Sequence, residues 1–281
     1  MHYRLKRKVR EVKIEIRGDN RMNREKEILD LAAQAGNVLL ENGAEIFRVE
    51  ETMNRISQYY GIKNSDFFVM SSGIFLTAED NGGQMYAKVK HIPINAVHLD
   101  RIAAVNQLSR EIEEGQHTVE EAGTHLEKIA AMKGKSDITR ILFSGLGAGC
   151  FCYLSGGTLW DGLAAFAAGL LLYCFIIWTE KREKEISRIV IHITGGFLAT
   201  FFSVVFFLLG FGTNLSSIVI GSIMPLLPGV SFTNSIRDLA NRDYIAGSIR
   251  MIDALLVCFG IALGVGLMYI LYHKATGGMP I

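Results

Sequence analysis

Long apolar segments occupy most of the second half of the chain and restrict its fold more than any other feature. A helix needs about 20 mainly apolar residues to cross the ~30 Å hydrocarbon core of a bilayer. Segments of suitable composition lie at about 138–154, 158–178, 189–211, 215–229 and 244–272. We therefore expect a transmembrane domain over 137–281, an α-helical membrane bundle of about five spans in the lipid bilayer.

The first half of the chain is rich in charge, and its apolar residues recur at short periods. Apolar residues follow helical spacing in four segments: 25–42, 44–60, 98–112 and 118–132. Glycine ends the first two, at Gly43 and Gly61. Such amphipathic spacing is typical of helices that bury one face in a soluble core.

Between these helices the hydrophobic period changes. Strand-forming residues fill 66–78 and alternate over 85–92, with a turn signal at 81–83. This pattern predicts a β-hairpin or a three-stranded meander. The expected fold is thus a cytoplasmic α+β domain over 25–136, preceded by a basic tail over 1–24 and followed by the membrane bundle.

The tail and the cysteines exclude several other classes of protein. No apolar stretch follows the basic tail, which argues against a signal peptide. The tail either is solvated or lies against anionic lipid. The 4 cysteines all fall in apolar segments, without the ligand spacing of a metal site. We expect no metal, no cofactor and no nucleic-acid partner.

Basic residues are distributed unevenly between the predicted loops. Lysine and arginine flank the first span, occur four times in 180–188 and follow the fourth span at Arg237 and Arg242. The connections at 155–157 and 212–214 carry neither. The positive-inside rule then places the N-terminal domain in the cytoplasm and the C-terminus outside.

The segment from Pro225 to Asp238 interrupts the apolar pattern. Proline breaks backbone hydrogen bonding, and interrupted helices in membranes often line a cargo path. We expect a structural break at Pro225, Pro228 and Gly229. The polar side chains that follow have groups suited to a zwitterion or a carboxylate, and we predict that they bind substrate: Ser231, Thr233, Asn234 and Arg237.

Ionisable residues in membrane spans are rare and usually face the bundle interior. Three of them are candidates for proton coupling: Asp238, Asp253 and His192. A carboxylate in a site of low dielectric constant can take up a proton near neutral pH. The alternatives are that His192 is an interfacial histidine, and that Arg237 and Asp238 pair with each other or with Arg250 and Asp253 to hold the bundle.

The first half contains serine and histidine residues of the types used in hydrolase triads, such as Ser71, Ser72, His91 and His98. Their spacing follows no known nucleophile motif. No Gly-x-Ser-x-Gly elbow is present. The chain is therefore not expected to be an enzyme. A membrane-anchored hydrolase and a regulatory or scaffold subunit remain the alternatives from other functional classes.

Two motifs resemble a known family. Asn42-Gly-Ala-Glu-Ile-Phe-Arg-Val-Glu50, with Gly43, Arg48 and Glu50, resembles the N-terminal motif of the threonine/serine exporter family. Pro228-Gly-Val-Ser-Phe-Thr-Asn-Ser-Ile-Arg-Asp-Leu239, followed by Asp243 and Gly247-Ser-Ile-Arg250, resembles its membrane signature.

The resemblance implies the long subunit of a split, two-component exporter in the cell membrane. Its expected activity is proton-coupled antiport of small amino acids, threonine or serine. Split members are also linked to dicarboxylate (succinate) export, which is the alternative substrate class. The resemblance further implies a small integral-membrane subunit that supplies the second half of the transporter, and it leaves a homo-oligomer open.

Overall fold

The computed structural model describes residues 24–62, 64–79, 85–92, 97–180, 182 and 187–276. The basic tail up to residue 23, the turn predicted at 81–83 and most of the 180–188 connection lie outside these residues. The chain folds as two compact units. The first takes the described residues up to Lys133 together with Thr233–Arg250, and the second takes Gly134–Phe232 and the residues from Met251 onward.

The first unit combines helices with one small sheet. Its elements up to Lys133 are α1 (24–41), α2 (Ile46–Tyr59), β1 (Ser65–Met70), β2 (Gly73–Glu79), β3 (Met85–His91), α3 (Leu99–Glu113) and α4 (Val119–Ala130). The strands form an antiparallel sheet in the order β1-β2-β3, so of the two predicted arrangements the three-stranded meander is confirmed. Alternate residues of β2 are buried, which gives the sheet one packed face.

The core of this unit draws on both of its chain segments. The fully buried Leu39, Val49 and Met53 of α1 and α2 belong to the same apolar cluster as Leu76 of β2. Ala246, from the Thr233–Arg250 segment, lies in that cluster with only 1% of its surface exposed. Residues almost 200 positions apart therefore share one hydrophobic core.

The second unit is helical. It contains α5 (Asp137–Leu154), α6 (Leu159–Glu180), α7 (Arg188–Leu208), α8 (Leu215–Ile223) and a 3₁₀ turn (Met224–Leu226). Two further helices continue from one unit into the other: α9 (Gly229–Ala240) and α10 (Tyr244–Ala275). The described part of the chain is thus mostly helical with one small sheet, which agrees with the predicted fold class at that coarser level.

Three described helices are long and apolar enough to cross a membrane: α6, α7 and α10. The pair formed by Leu215–Leu226 and Gly229–Ala240 is bent by 65° and counts as a fourth candidate if it is one span. Helix α5 is not among these candidates. A count of five spans is therefore not established by length and hydropathy.

Glycine allows close helix packing in the second unit. A Cβ atom added to Gly264 of α10 would lie 2.0 Å from the carbonyl oxygen of Ile193 on α7, and one added to Gly196 would lie 2.5 Å from that of Ile261. Such contacts are far shorter than any real Cβ contact, so the two backbones meet at these glycines. Small residues are the usual means of close approach between helices in membranes.

Asp161 is fully buried near the start of α6. Its carboxylate accepts hydrogen bonds from the backbone N–H groups of Thr158 (2.7 Å), Thr213 (2.6 Å) and Asn214 (2.9 Å). This side chain therefore satisfies free backbone donors at the N-termini of both α6 and α8.

Candidate functional site

Parts of the two motifs that resemble the exporter family meet in the first unit. The turn between α1 and α2, within Asn42–Glu50, lies against the end of α9 and the start of α10, within Asn234–Arg250. We call this contact the motif junction. The chain folds this way locally because Gly43 has φ of 86°, a conformation that glycine adopts readily, and so allows a sharp turn.

Two predicted substrate-binding residues contact the α1–α2 turn. The amide Nδ2 of Asn234 donates to the carbonyl oxygen of Gly43 at 3.0 Å. Arg237 forms a salt bridge with Oε1 of Glu45, and the side chains are 54% and 13% exposed. The other oxygen of Glu45, Oε2, is buried and has no hydrogen-bond partner among the described residues. The Glu45 carboxylate is therefore only half satisfied.

Asp238 and Arg250 form the buried centre of the junction. Nη1 of Arg250 donates to Oδ2 of Asp238 at 3.0 Å, with only 9% and 1% of the two side chains exposed. Nη2 of Arg250 donates to the carbonyl oxygen of Ala44 at 2.9 Å, and Oδ1 of Asp238 accepts from the N–H of Ile46 at 3.4 Å. Each of the two charged groups therefore bonds to the backbone of the α1–α2 turn as well as to the other group.

Asp238 lies at the N-terminus of α2, where its charge has a favourable effect. The residue that precedes α2, Glu45, does not cap the helix with its own side chain. Unpaired N–H groups and the helix dipole favour a negative charge at that position. The carboxylate of Asp238 supplies that charge from a residue 192 positions away.

The turn between α9 and α10 is equally well defined. Arg242 adopts a positive φ of 69°, and Asp243 accepts a hydrogen bond from the N–H of Ala246 at 3.1 Å, as an N-cap does. A Cβ atom on Gly247 would lie 2.8 Å from Cγ and 2.9 Å from the backbone N of Leu239. The motif glycine thus lets the two helices approach closely enough to place Asp238 beside Arg250.

Of the three residues predicted from the first motif, Gly43 and Glu50 accept hydrogen bonds from other parts of the first unit, and Arg48 is exposed. Oε1 of Glu50 accepts from the N–H of Val69 at 2.9 Å and so ties α2 to β1. Arg48 has a 3.8 Å ion pair with Glu51 on the same helix. Such an exposed pair contributes little.

The contact between Glu50 and Val69 depends on pH. Burial raises the pKa of Glu50, an effect that the hydrogen bond from Val69 opposes and the nearby Asp243 reinforces. The Glu50 carboxyl group therefore binds its proton more tightly in the folded state than in the unfolded state. As a result, the stability contributed by Glu50 falls as pH rises from about 4.5 through the raised pKa. We expect Glu50→Gln to reduce this loss, since glutamine can still accept from Val69 without ionising. Thermal unfolding between pH 4 and pH 7 measures it, and an unchanged pH slope would contradict the assignment.

The other predicted site residues do not take part in the junction. Thr233 is exposed, and Ser231, His192 and Asp253 belong to the second unit. Asp253 is exposed, whereas Nδ1 of His192 is buried without a hydrogen-bond partner among the described residues. Pro225 lies in the 3₁₀ turn, and Pro228 and Gly229 lie at the bend that follows. Of the three candidates for proton coupling, only Asp238 lies in the junction.

Sequence reasoning did not single out Glu45 or Asn42, and it gave Arg250 only an alternative pairing role. Asn42 is buried, donates to the carbonyl oxygen of Val38 at 2.6 Å and accepts from Arg101 at 3.3 Å. Arg250 had a usable signal, because an arginine inside an apolar helix needs a partner. Glu45 had none, since a charged residue at a helix start is usually solvated.

Comparison with known proteins gives a consistent family assignment. Residues 30–272 match the ThrE family, described as "Putative threonine/serine exporter". No solved structure matches the chain.

Three relatives illustrate the range of the match. The chain is 25% identical over 238 residues to a pheromone-regulated membrane protein 10 of Debaryomyces hansenii, covering 82% of this chain and 23% of that protein. It is 24% identical to the threonine/serine exporter of Corynebacterium glutamicum, covering 85% and 50%. It is 26% identical to the "Probable succinate transporter subunit YjjP" of Escherichia coli K12, covering 84% and 91%.

The chain thus spans about a quarter to a half of the length of the first two of these relatives. The family match nevertheless covers most of the chain and includes both motifs of the junction. The chain belongs to the threonine/serine exporter (ThrE) family.

Proposed function

We propose that the chain is one subunit of a secondary transporter in the cell membrane that exports threonine or serine in exchange for protons. The ThrE family is a family of transporters and not of enzymes. Several described helices are able to span a membrane, as expected of a multi-pass membrane protein. The family match and the motif junction together support this proposal.

The observation that carries the cargo assignment is the salt bridge between Arg237 and Glu45. Threonine and serine carry a carboxylate, as the Glu45 side chain does. A half-exposed guanidinium that already holds a half-satisfied carboxylate is suited to exchange it for another. In this mechanism the cargo displaces Glu45 from Arg237 and takes up the Asn234 amide that otherwise bonds to Gly43. Ser231 and Thr233, which lie outside the junction, stay predicted substrate-binding residues.

Proton coupling has its best candidate in Asp238. Protonation would remove the charge that attracts Arg250 and would weaken the bond to the Ile46 N–H. The turn at Ala44, held by the same arginine, would then loosen. Proton uptake and cargo exchange would therefore act on one junction and could shift the same conformational equilibrium. His192 and Asp253 remain secondary candidates.

Dicarboxylate export is the second candidate function. The observation in its favour is coverage, because this chain matches 91% of a relative named as a succinate transporter subunit but 50% of the one named as a threonine/serine exporter. Arg237 would bind a carboxylate of succinate by the same chemistry. The two cargo classes differ in their ammonium group, for which Glu45 would be the natural partner.

We also propose a five-span topology with α5 as the first span, the N-terminal domain in the cytoplasm and the C-terminus outside. Relatives named as transporter subunits support a small integral-membrane partner. An alkaline phosphatase fused to the C-terminus should be active if this orientation is right. Loss of that activity, with activity of a cytoplasmic reporter instead, would reverse the topology.

Counterflow transport tests the proposed function. Membrane vesicles are prepared from cells that express the chain, with and without a candidate small membrane subunit. They are loaded with unlabelled threonine, serine or succinate. We expect labelled threonine and serine to accumulate, a pH gradient to drive their efflux, and both processes to require the partner. Accumulation of succinate alone would establish the second candidate, and no accumulation of any of the three would reject both.

Substitution of Arg237 tests the cargo site. A hydrogen bond to a charged group contributes about 1.5–3 kcal/mol, so Arg237→Gln should raise the KM for threonine roughly tenfold or more, with kcat less affected. Arg237→Lys keeps the charge and should recover part of the loss. Arg110→Gln, an exposed arginine in the last turn of α3, serves as the matched control. An Arg237→Gln variant with the KM of the control would remove Arg237 from the site.

A further inference from the structure

A compact group of metal-ligand side chains lies in the first unit outside the motif junction. Glu111, His117 and His125 place one ligand atom each within 4.8 Å of the others. Oε2 of Glu111 and Nε2 of His117 are 3.0 Å apart. The ring centroids of His117 and His125 are 4.8 Å apart.

Three neighbouring elements bring these side chains together. Glu111 lies in the last turn of α3, His117 in the loop that follows and His125 on α4. Thr118 and Glu121 form a capping box that fixes the start of α4. His125 lies seven residues after Thr118, about two helical turns, so its side chain returns to the face of α4 that begins at the loop.

Glu111 and His117 each have a hydrogen bond to a group outside the cluster, at the side chain of Glu111 and at the backbone of His117. Oε1 of Glu111 accepts from Nε2 of Gln107 at 3.0 Å, which leaves Oε2 directed toward His117. The hydroxyl of Tyr60 donates to the backbone carbonyl of His117 at 3.0 Å and anchors the loop. Such outer contacts orient the ligands in known metal sites and change metal affinity by roughly 10- to 100-fold.

The spacing is close to that of a tetrahedral site. With bonds of about 2.0–2.1 Å to the metal, the ligand atoms of tetrahedral zinc lie roughly 3.3 Å apart. The Glu111–His117 pair already has nearly that separation. His125 is exposed, so its ring can rotate to close the remaining distance. With three protein ligands, a bound ion would keep a fourth position for water.

We propose that Glu111, His117 and His125 form a binding site for a divalent transition-metal ion such as Zn²⁺. Two imidazole nitrogens and one carboxylate suit zinc and its neighbours in the first row, whereas Ca²⁺ and Mg²⁺ prefer oxygen ligands. The ion would link the end of α3 to α4 and stabilise the first unit in proportion to its occupancy. The site does not depend on which cargo the protein carries.

Cobalt titration tests the site directly. The full chain is purified without a histidine tag, stripped with a chelator and titrated with Co²⁺, whose visible absorption bands report tetrahedral nitrogen and oxygen ligation. We expect a saturable spectrum at one equivalent that Zn²⁺ removes and that Ca²⁺ and Mg²⁺ leave unchanged. Zn²⁺ should also raise the melting temperature of the stripped protein. The absence of a saturable spectrum in the native chain overturns the proposal.

Histidine variants assign the spectrum to these residues. His125→Gln removes an exposed side chain, so the fold should persist while the Co²⁺ dissociation constant rises at least tenfold. Glu111→Gln keeps the shape of the side chain and should have a similar effect. His91→Gln, an exposed histidine on β3, is the matched control and should bind as the native chain does. Equal Co²⁺ affinity in the His125→Gln variant and the control would place the metal elsewhere and refute this site.

Discussion

Replacing Asp238 with alanine should lower the free energy of unfolding of the first unit by about 3–5 kcal/mol, because it leaves the Arg250 guanidinium buried without its partner. The substitution also removes the acceptor of the Ile46 N–H at the start of α2. In thermal unfolding followed by circular dichroism, this corresponds to a fall of roughly 6–20 °C in melting temperature. Hydrogen exchange should quicken at the N-terminus of α2.

Two further variants identify the source of that loss. Asp253→Ala removes an exposed aspartate from the same helix as Arg250 and should change the melting temperature little. The double variant Asp238→Leu, Arg250→Met removes both charges and should be more stable than Asp238→Ala alone, since no uncompensated charge remains. If the Asp238→Ala and Asp253→Ala variants had the same melting temperature, the buried pair of Asp238 and Arg250 would not hold the junction.

Adding one methyl group at Gly264 is expected to have an effect of similar size in the second unit. The new Cβ would lie 2.0 Å from the carbonyl oxygen of Ile193 and 2.7 Å from the backbone N of Phe197. Backbone atoms cannot rotate away as a side chain can, so α7 and α10 must separate. We expect Gly264→Ala to cost about 3 kcal/mol or more, at the upper end for overpacked cores.

Gly266 provides a closely matched control on the same helix. A Cβ atom there meets nothing within 4 Å, so Gly266→Ala tests the change of residue without the clash. Alanine favours a helix over glycine by about 1 kcal/mol, and the control should be neutral or slightly stabilising. Thermal unfolding and the yield of monodisperse protein separate the two variants. Equal behaviour would mean that α7 and α10 do not touch at Gly264.

The helices and strands of the first unit were predictable because the spacing of apolar residues along each segment reflects its secondary structure. Helical spacing located the α1 and α2 segments, and alternation of polar and apolar residues predicted the meander that the strands form. The family, assigned from two motifs, is confirmed by a match over 30–272. These inferences depend on neighbouring residues and on motif identity, which the sequence displays directly.

The motif junction could not be predicted from spacing. The Asn234–Gly43 contact joins residues 191 positions apart, and no periodic pattern records a pairing at that distance. Asp238 was considered as a proton carrier and, alternatively, as a partner of other charged residues. The structure shows the second relation, with Arg250, while a transport role for Asp238 stays a prediction. Asp161 is buried because it accepts hydrogen bonds from backbone N–H groups, which every residue except proline has and which the sequence therefore does not reveal.

The discontinuous make-up of the first unit has a consequence for biosynthesis. Residues 134–232 separate its two chain segments, so roughly 100 residues must be added after α4 before Ala246 can enter the core. At about 5–20 residues per second, this delay is on the order of 5–20 s. During that time the nascent N-terminal half would expose the surface that later receives Thr233–Arg250.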